Sequence, residues 1–146
     1  MRRVYVNEKW CLGCHLCEYY CAFACTGETD MSRVLKDIKI NPNINIEKQD
    51  DISFAVSCRH CREPLCVKGC ITGALTINDG VVTIDGEQCV GCYTCILSCP
   101  FGAVSPSEHG AVKKCELCIM TLAGVPACVE GCPNGAIVYE ERSNEE

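Results

Sequence analysis

Sixteen of the seventeen cysteines in this 146-residue chain fall into four runs whose spacing is that of metal ligands. The third, Cys89-Val-Gly-Cys92-Tyr-Thr-Cys95-Ile-Leu-Ser-Cys99-Pro100, has the pattern C-x2-C-x2-C-x3-C-P. Three thiolates two residues apart can wrap one tight loop around three iron corners of a [4Fe–4S] cube. The fourth then sits on the short helix leaving the loop, points away, and serves the other cube of a pair. A cube on Cys89, Cys92 and Cys95 therefore needs a fourth thiolate from elsewhere, and Cys99 must belong to a different cube. One run predicts a partner run.

The chain supplies three more: Cys11-x2-Cys14-x2-Cys17-x3-Cys21, Cys58-x2-Cys61-x4-Cys66-x3-Cys70, and Cys115-x2-Cys118-x9-Cys128-x3-Cys132-Pro133. Sixteen thiolates are what four cubanes require, and Cys25 is left over. The first and third runs are too dense for structural zinc, which wants two cysteine pairs across a longer loop. The second and fourth, with their longer gaps, leave zinc open. A structural metal-binding scaffold with zinc in one or more runs is thus the alternative to iron–sulfur clusters. Cys21 and Cys25 compete for the fourth position of the first run. The spacing favours Cys21, which makes Cys25 a buried free thiol.

Other side chains carry weaker signals. His15 and His60 lie inside cluster loops, where packing or support of the ligands fits better than ligation, because the ligand places are filled. His109 sits in a polar loop. Trp10, Tyr19, Tyr20 and Tyr93 read as lids that keep water from the metal. Arg59, Arg62, Lys68, Lys113 and Lys114 either steer a partner or offset cluster charge locally. No nucleophile–base pair, phosphate loop or dinucleotide fingerprint stands out, so no substrate chemistry is expected of the chain itself.

The elements that must position these ligands are short. Helices are expected within and beyond the runs, as in Glu18–Phe23 and Ile96–Ser98. Strands are expected at Ile52–Val56 and in the small-residue tails after the last three runs. Leu75–Ile77 and Val81–Ile84 should form a hairpin through Asp79-Gly80. Arg3–Val6 could pair with Ile137–Tyr139 and bring the chain ends together. Met31–Ile40 reads as a helix, ending near Asn41-Pro42, in a cysteine-free connector that either docks a partner or covers the outer clusters. The tail from Glu140 to Glu146 reads as frayed.

Formal charge is −6 with neutral cysteines, and each loaded cubane would add roughly two negative charges. That balance argues against nucleic acid as a partner and suits docking on a positive face of a redox enzyme. No apolar run reaches membrane-span length. The two arginines at the start lack an apolar segment behind them, so no export signal is expected. The cysteine usage is then that of a reducing, cytoplasmic compartment rather than a disulfide framework.

Four runs in this order resemble the four-cluster electron-transfer subunits of molybdenum and tungsten oxidoreductases, formate-linked hydrogenases and carbon monoxide dehydrogenase systems. Cys58-Arg-His-Cys-Arg-Glu-Pro-Leu-Cys66 is similar to that family's second run. Trp10–Cys21 looks most like the small ferredoxin-like proteins associated with carbon monoxide dehydrogenase. The resemblance implies that the first run pairs with the fourth and the second with the third. One cube would take Cys11, Cys14, Cys17 and Cys132, and a second Cys115, Cys118, Cys128 and Cys21. The inner pair would take Cys58, Cys61, Cys66 with Cys99, and Cys89, Cys92, Cys95 with Cys70. The implied fold is α+β, with two nested ferredoxin-like dicluster modules: residues 1–57 and 108–146 outside, 58–107 inside, in one body. The implied function is relay of single electrons through four [4Fe–4S] clusters. Its partners would be carbon monoxide dehydrogenase, or another low-potential enzyme (formate dehydrogenase, aldehyde oxidoreductase or hydrogenase), and a second redox enzyme such as a flavin-dependent NAD(P)H oxidoreductase, in a hetero-oligomer.

Overall fold

Strand β1 (Arg3–Val6) lies antiparallel to the last strand, β8 (Ile137–Glu140), with Val4 opposite Tyr139 and Val6 opposite Ile137. The two ends of the chain thus close on each other as the alternating patterns predict. This is a computed structural model, and it describes residues 1–27, 30, 32, 41–108, 111–119 and 124–143. The helix expected over Met31–Ile40, and His109, lie outside the described residues.

Between those ends run three further antiparallel pairs, each a separate two-stranded sheet. They are β2 (Asn45–Gln49) with β3 (Ile52–Val56), β4 (Leu75–Asn78) with β5 (Val81–Ile84), and β6 (Val104–Pro106) with β7 (Val112–Lys114). The turn of the β4–β5 hairpin is Asp79-Gly80, and both residues have positive φ, 50° and 80°. Two consecutive positive φ values match the right-handed twist of the strands, which is why Asp-Gly closes it. Each tail after the last three runs enters its strand through a buried alanine: Ala74, Ala103 or Ala136.

The helices are short. α1 (Leu16–Thr26) has 11 residues, longer at both ends than the sequence indicates, while α2 (Leu65–Lys68), α3 (Thr94–Ser98) and α4 (Ala127–Glu130) are single turns. Each of the four carries the third cysteine of its run: Cys17, Cys66, Cys95 and Cys128. Isolated helices and two-stranded ribbons of this size are marginal in water. What holds them is a pair of small cores into which cysteines are built. One gathers Val4, Cys17, Cys21, Ile44, Ala55, Leu117, Cys128 and Ile137. The other gathers Leu75, Val82, Cys95, Val104 and Val112. No described helix is long and apolar enough to cross a membrane.

α1 packs on α4 through one close approach. A Cβ on Gly131 would stand 2.4 Å from the Tyr20 ring, so only glycine leaves room for that side chain on the turn. Tyr20 is accordingly a packing residue of the seam between the first and fourth runs.

Candidate metal centres

All four C-x2-C loops share one backbone bend. The residue before the second cysteine has a positive φ in every run: Gly13 at 66°, His60 at 47°, Gly91 at 71° and Leu117 at 56°. Glycine adopts this region freely, whereas a side chain there costs about 1–3 kcal/mol. His60 and Leu117 are held in it nonetheless, both buried, at 1% and 5% exposure. The bend turns backbone donors onto sulfur. His60 N–H donates to Cys58 Sγ at 3.5 Å and Leu117 N–H to Cys115 Sγ at 3.4 Å; outside the bends, Asn43 N–H donates to Cys21 Sγ at 3.2 Å. Such donors favour a thiolate over a thiol. The sequence marks the bend in the first and third runs by glycine and hides it in the other two.

None of the seventeen cysteines forms a disulfide. Burial is the leading influence on most of the perturbed ones and pushes Cys17 and Cys115 up to about 12. It also raises Cys61, Cys66, Cys95, Cys118 and Cys128. Neighbouring thiols add to these shifts and reveal who shares whose surroundings. Cys17 feels Cys11 and Cys14. Cys61 and Cys66 both feel Cys58 and Cys99. Cys95 feels Cys89 and Cys92, and Cys92 feels Cys70. Cys115, Cys118 and Cys128 all feel Cys21, although Cys21 lies in the first run. Cys132 packs on the core that holds Cys17, Cys21 and Cys128, while Cys66, Cys70, Cys89 and Cys99 pack on the other.

Hydroxyls finish two of the sites. Thr72 Oγ1 lies 3.7 Å from Cys70 Sγ, and Thr94 Oγ1 lies 3.5 Å from Cys92 Sγ. At Cys70 burial pushes the thiol up, but donors from Leu75, Thr72 and Ala74 together outweigh it and bring the thiol to about 7. Cys14 and Cys92 are exposed, one in the first run and one in the third. Exposed apolar side chains flank both: Trp10 and Leu12 beside the first, Val90 and Tyr93 beside the second.

This donor set fits iron–sulfur clusters. Thiolates are the ligands such clusters take, and backbone N–H groups already aimed at Cys58, Cys115 and Cys21 sulfur favour that form. Among the described residues, no three His, Cys, Asp or Glu side chains draw close enough to hold a single metal ion. Ligands of a cubane stand farther apart, one to each iron corner.

Residues 50–142 match the 4Fe-4S dicluster domain family. The chain belongs to that family. It is 35% identical over 150 residues to the "Iron-sulfur protein" of Rhodospirillum rubrum, covering 92% of this chain and 79% of that one. It is 30% identical over 158 residues to "Electron transport protein HydN" of Escherichia coli K12, covering 97% and 89%. A like match to the E. coli K12 protein AegA spans only 21% of that longer protein. In fold, this dicluster-domain chain resembles a chain of the active site complex BamBC of benzoyl coenzyme A reductase bound to 1,5-dienoyl-CoA, with a TM-score of 0.51 and 23% identity over 100% of this chain and 79% of that one. It is an iron–sulfur electron-transfer protein with short strands, short helices and [4Fe–4S] chemistry.

Several side chains outside the ligand set take clear places in this iron–sulfur protein. Cys25 is exposed, not buried as the sequence reading has it, because the last turn of α1 faces outward there. It shares a hydrogen bond with Cys21, which lowers Cys25 and raises Cys21. Lys114 is 2% exposed, so it cannot steer a partner; its ammonium donates to Val82 O and, at 2.6 Å, to Cys115 O. Lys113 donates to Asn41 Oδ1 and to Pro42 O. Arg59 lies over the Phe101 ring, 4.5 Å from its centre, and Lys68 pairs with Glu63 at 3.0 Å on the surface. His15 is exposed and meets Glu18 at 2.8 Å. Trp10, Tyr19 and Tyr93 are exposed, Tyr19 from the face of α1.

Two glutamates that sequence reasoning passed over tie strand edges to cluster loops. Glu18 accepts from Ile46 N–H at 2.6 Å, and Glu116 accepts from Ile84 N–H at 2.8 Å. His60 does the same at Val82, whose N–H donates to Nδ1 at 3.0 Å. The free edge of β5 is thus bound by His60 from the second run and by Lys114 and Glu116 from the fourth. A carboxylate between two cysteines carries no sequence signal for that role.

Proposed function

We propose that this chain relays single electrons through four [4Fe–4S] clusters, arranged as two nested dicluster modules, between a low-potential oxidoreductase and a second redox enzyme. When bound, the clusters supply one-electron redox chemistry at low potential. The chain supplies the sixteen thiolates, hydrogen bonds to sulfur and burial that tune it. The observation that carries the reading is the company each fourth cysteine keeps. Cys21 stands electrostatically among Cys115, Cys118 and Cys128, Cys99 beside Cys61 and Cys66, and Cys70 beside Cys92. These groupings support the ligand sets Cys115, Cys118, Cys128, Cys21; Cys58, Cys61, Cys66, Cys99; and Cys89, Cys92, Cys95, Cys70, which leaves Cys132, packed on the core that holds Cys17, to complete Cys11, Cys14 and Cys17.

The same grouping supports an outer module from residues 1–57 with the C-terminal part of the chain, and an inner module around residues 58–107. The inner module also takes in β7, which pairs with β6. Exposed apolar rims beside Cys14 and Cys92 give the relay two ends. Carbon monoxide dehydrogenase is the first choice of donor, on the resemblance of Trp10–Cys21; formate dehydrogenase, aldehyde oxidoreductase or hydrogenase would fit the same chemistry. A flavin-dependent NAD(P)H oxidoreductase fits the other end. The chain works in the cytoplasm, in a hetero-oligomer, and performs no substrate chemistry of its own.

Anaerobically purified and reconstituted protein should hold about sixteen iron and sixteen acid-labile sulfide per chain. A reproducible value near twelve would remove one run from the relay, and a colourless zinc protein would replace the relay by a scaffold. Anaerobic copurification should bring down a redox enzyme; a partner without a redox centre would sink the assignment.

A further inference from the structure

His60 is the polar side chain the relay leaves unexplained. It lies between Cys58 and Cys61, is 1% exposed, and accepts the Val82 N–H at Nδ1 over 3.0 Å. An acceptor at Nδ1 puts the neutral ring's proton on Nε2. That Nε2 is buried and has no hydrogen-bond partner. A second buried donor, Nε of Arg3 on β1, is also without a partner, and the Arg3 charge acts on both His60 and Cys61. Two N–H groups from different parts of the fold thus lack an acceptor beside one cysteine loop. Buried donors without acceptors are rare, and each needs a cause such as a bound group.

We propose that His60 Nε2–H donates a hydrogen bond to a sulfur of the cluster on Cys58, Cys61 and Cys66, and thereby raises that cluster's reduction potential. The proposal rests on the cluster reading above. Sulfur of a cubane is the anionic acceptor that both His60 and Arg3 lack. Reduction adds one electron to the cluster and makes its sulfur a better acceptor, so a donor held in place stabilises the reduced form more than the oxidised one. His60 is held in place twice: by Val82 at Nδ1 and by the left-handed backbone of its own loop, at φ 47°. No proton moves in this step, because Nε2 already carries one and the Nδ1 lone pair is taken.

The test uses the full holoprotein, after its iron and sulfide have been counted. In wild type labelled with 15N-histidine and partly reduced, pulsed electron paramagnetic resonance should detect one imidazole nitrogen and one exchangeable proton coupled to a cluster. His60→Asn keeps an acceptor near the Nδ1 place but withdraws the donor. It should lower one cluster midpoint by about 59 mV or more, a tenfold change in a one-electron equilibrium. His60→Gln, whose amide reaches the Nε2 place, should restore most of that shift. Absence of histidine coupling in wild type would overturn the proposal, as would a fully loaded His60→Asn protein with every midpoint unmoved. A buried water satisfying the same donors would give that negative result. If His60→Asn fails to load, the wild-type coupling decides alone. Wild type without [4Fe–4S] iron would instead bring down the cluster reading, and this proposal with it.

Discussion

At the scale of single residues, ligand identity turns on Cys21 and Cys25, one helical turn apart on α1 and hydrogen-bonded to each other. Both stand near the fourth-run thiols, but Cys21 is buried and takes the Asn43 N–H, whereas Cys25 is exposed at the helix end. Cys21→Ala should therefore damage the cluster of the distant fourth run and leave the one on Cys11, Cys14 and Cys17 in place. Cys25→Ala should keep all four, with a loss of stability within about 0.5 kcal/mol, as at an ordinary surface site. Iron counts and electron paramagnetic resonance on the two variants would decide. Loss of a cluster only in Cys25→Ala would reverse the assignment. His60 and Leu117 belong to the same scale. Each stands in the left-handed region where the other two loops have glycine, and each is buried there, so packing offsets the backbone cost.

Elements here are too short to stand alone, and their contacts with one another decide their stability. The seam between α1 and α4 depends on the bare face of Gly131 under Tyr20. Gly131→Ala should push the ring away and cost about 1–3 kcal/mol, the usual penalty of overpacking. The measurement is the temperature at which the visible cluster absorbance bleaches. Adding Tyr20→Ala should recover part of the loss, since the clash partner is gone. Strictly additive losses in the double variant would mean the two residues do not meet. The free edges of β2 and β5 are handled differently, by Glu18, Glu116, His60 and Lys114 rather than by another strand. Side-chain capping lets an edge end against a cluster loop without adding a strand between them.

For the whole molecule, metal binding and folding are one process. Cysteines occupy core places that aliphatic residues would otherwise fill, among them Cys17, Cys21, Cys95 and Cys128. Chelation under reducing conditions should leave a mostly disordered circular dichroism spectrum; native-like strand content would count against this. The two forms should also respond to pH with opposite sign. In the metal-free fold, burial raises Cys17 and Cys115 from 9.0 to about 12. The neutral thiol is thus favoured by folding. That contribution is fully present below pH 9.0 and is lost as pH rises towards about 12, so residual metal-free structure should weaken there. In the loaded protein the same groups are thiolates held by iron, which acid reprotonates, so stability should fall as pH falls. Denaturation midpoints of the loaded protein against pH, and the pH at which the metal-free protein loses whatever circular dichroism it keeps, would test this. Slopes of the same sign would show that these thiols do not govern stability.

The spacing of the cysteines in the first and third runs by itself pointed to [4Fe–4S] chemistry, because loops that dense do not suit structural zinc, while the longer gaps of the second and fourth left zinc open. It also implied that each run must lend its fourth thiolate elsewhere. The pairing of Arg3–Val6 with Ile137–Glu140 and the Asp79-Gly80 hairpin were legible too, since period-two patterning and turn residues act locally. Other features were decided only in three dimensions. The strands Asn45–Gln49 and Val112–Lys114 look like polar connector in sequence and become strands because a partner strand offers its edge. Lys114, among the most polar residues in the chain, lies in the interior because two backbone carbonyls receive its ammonium. His60 had the look of a loop residue and is buried against the edge of Val82, 22 residues away along the chain. Such places depend on which groups remain unpaired once the runs have closed, and that is a property of the folded whole.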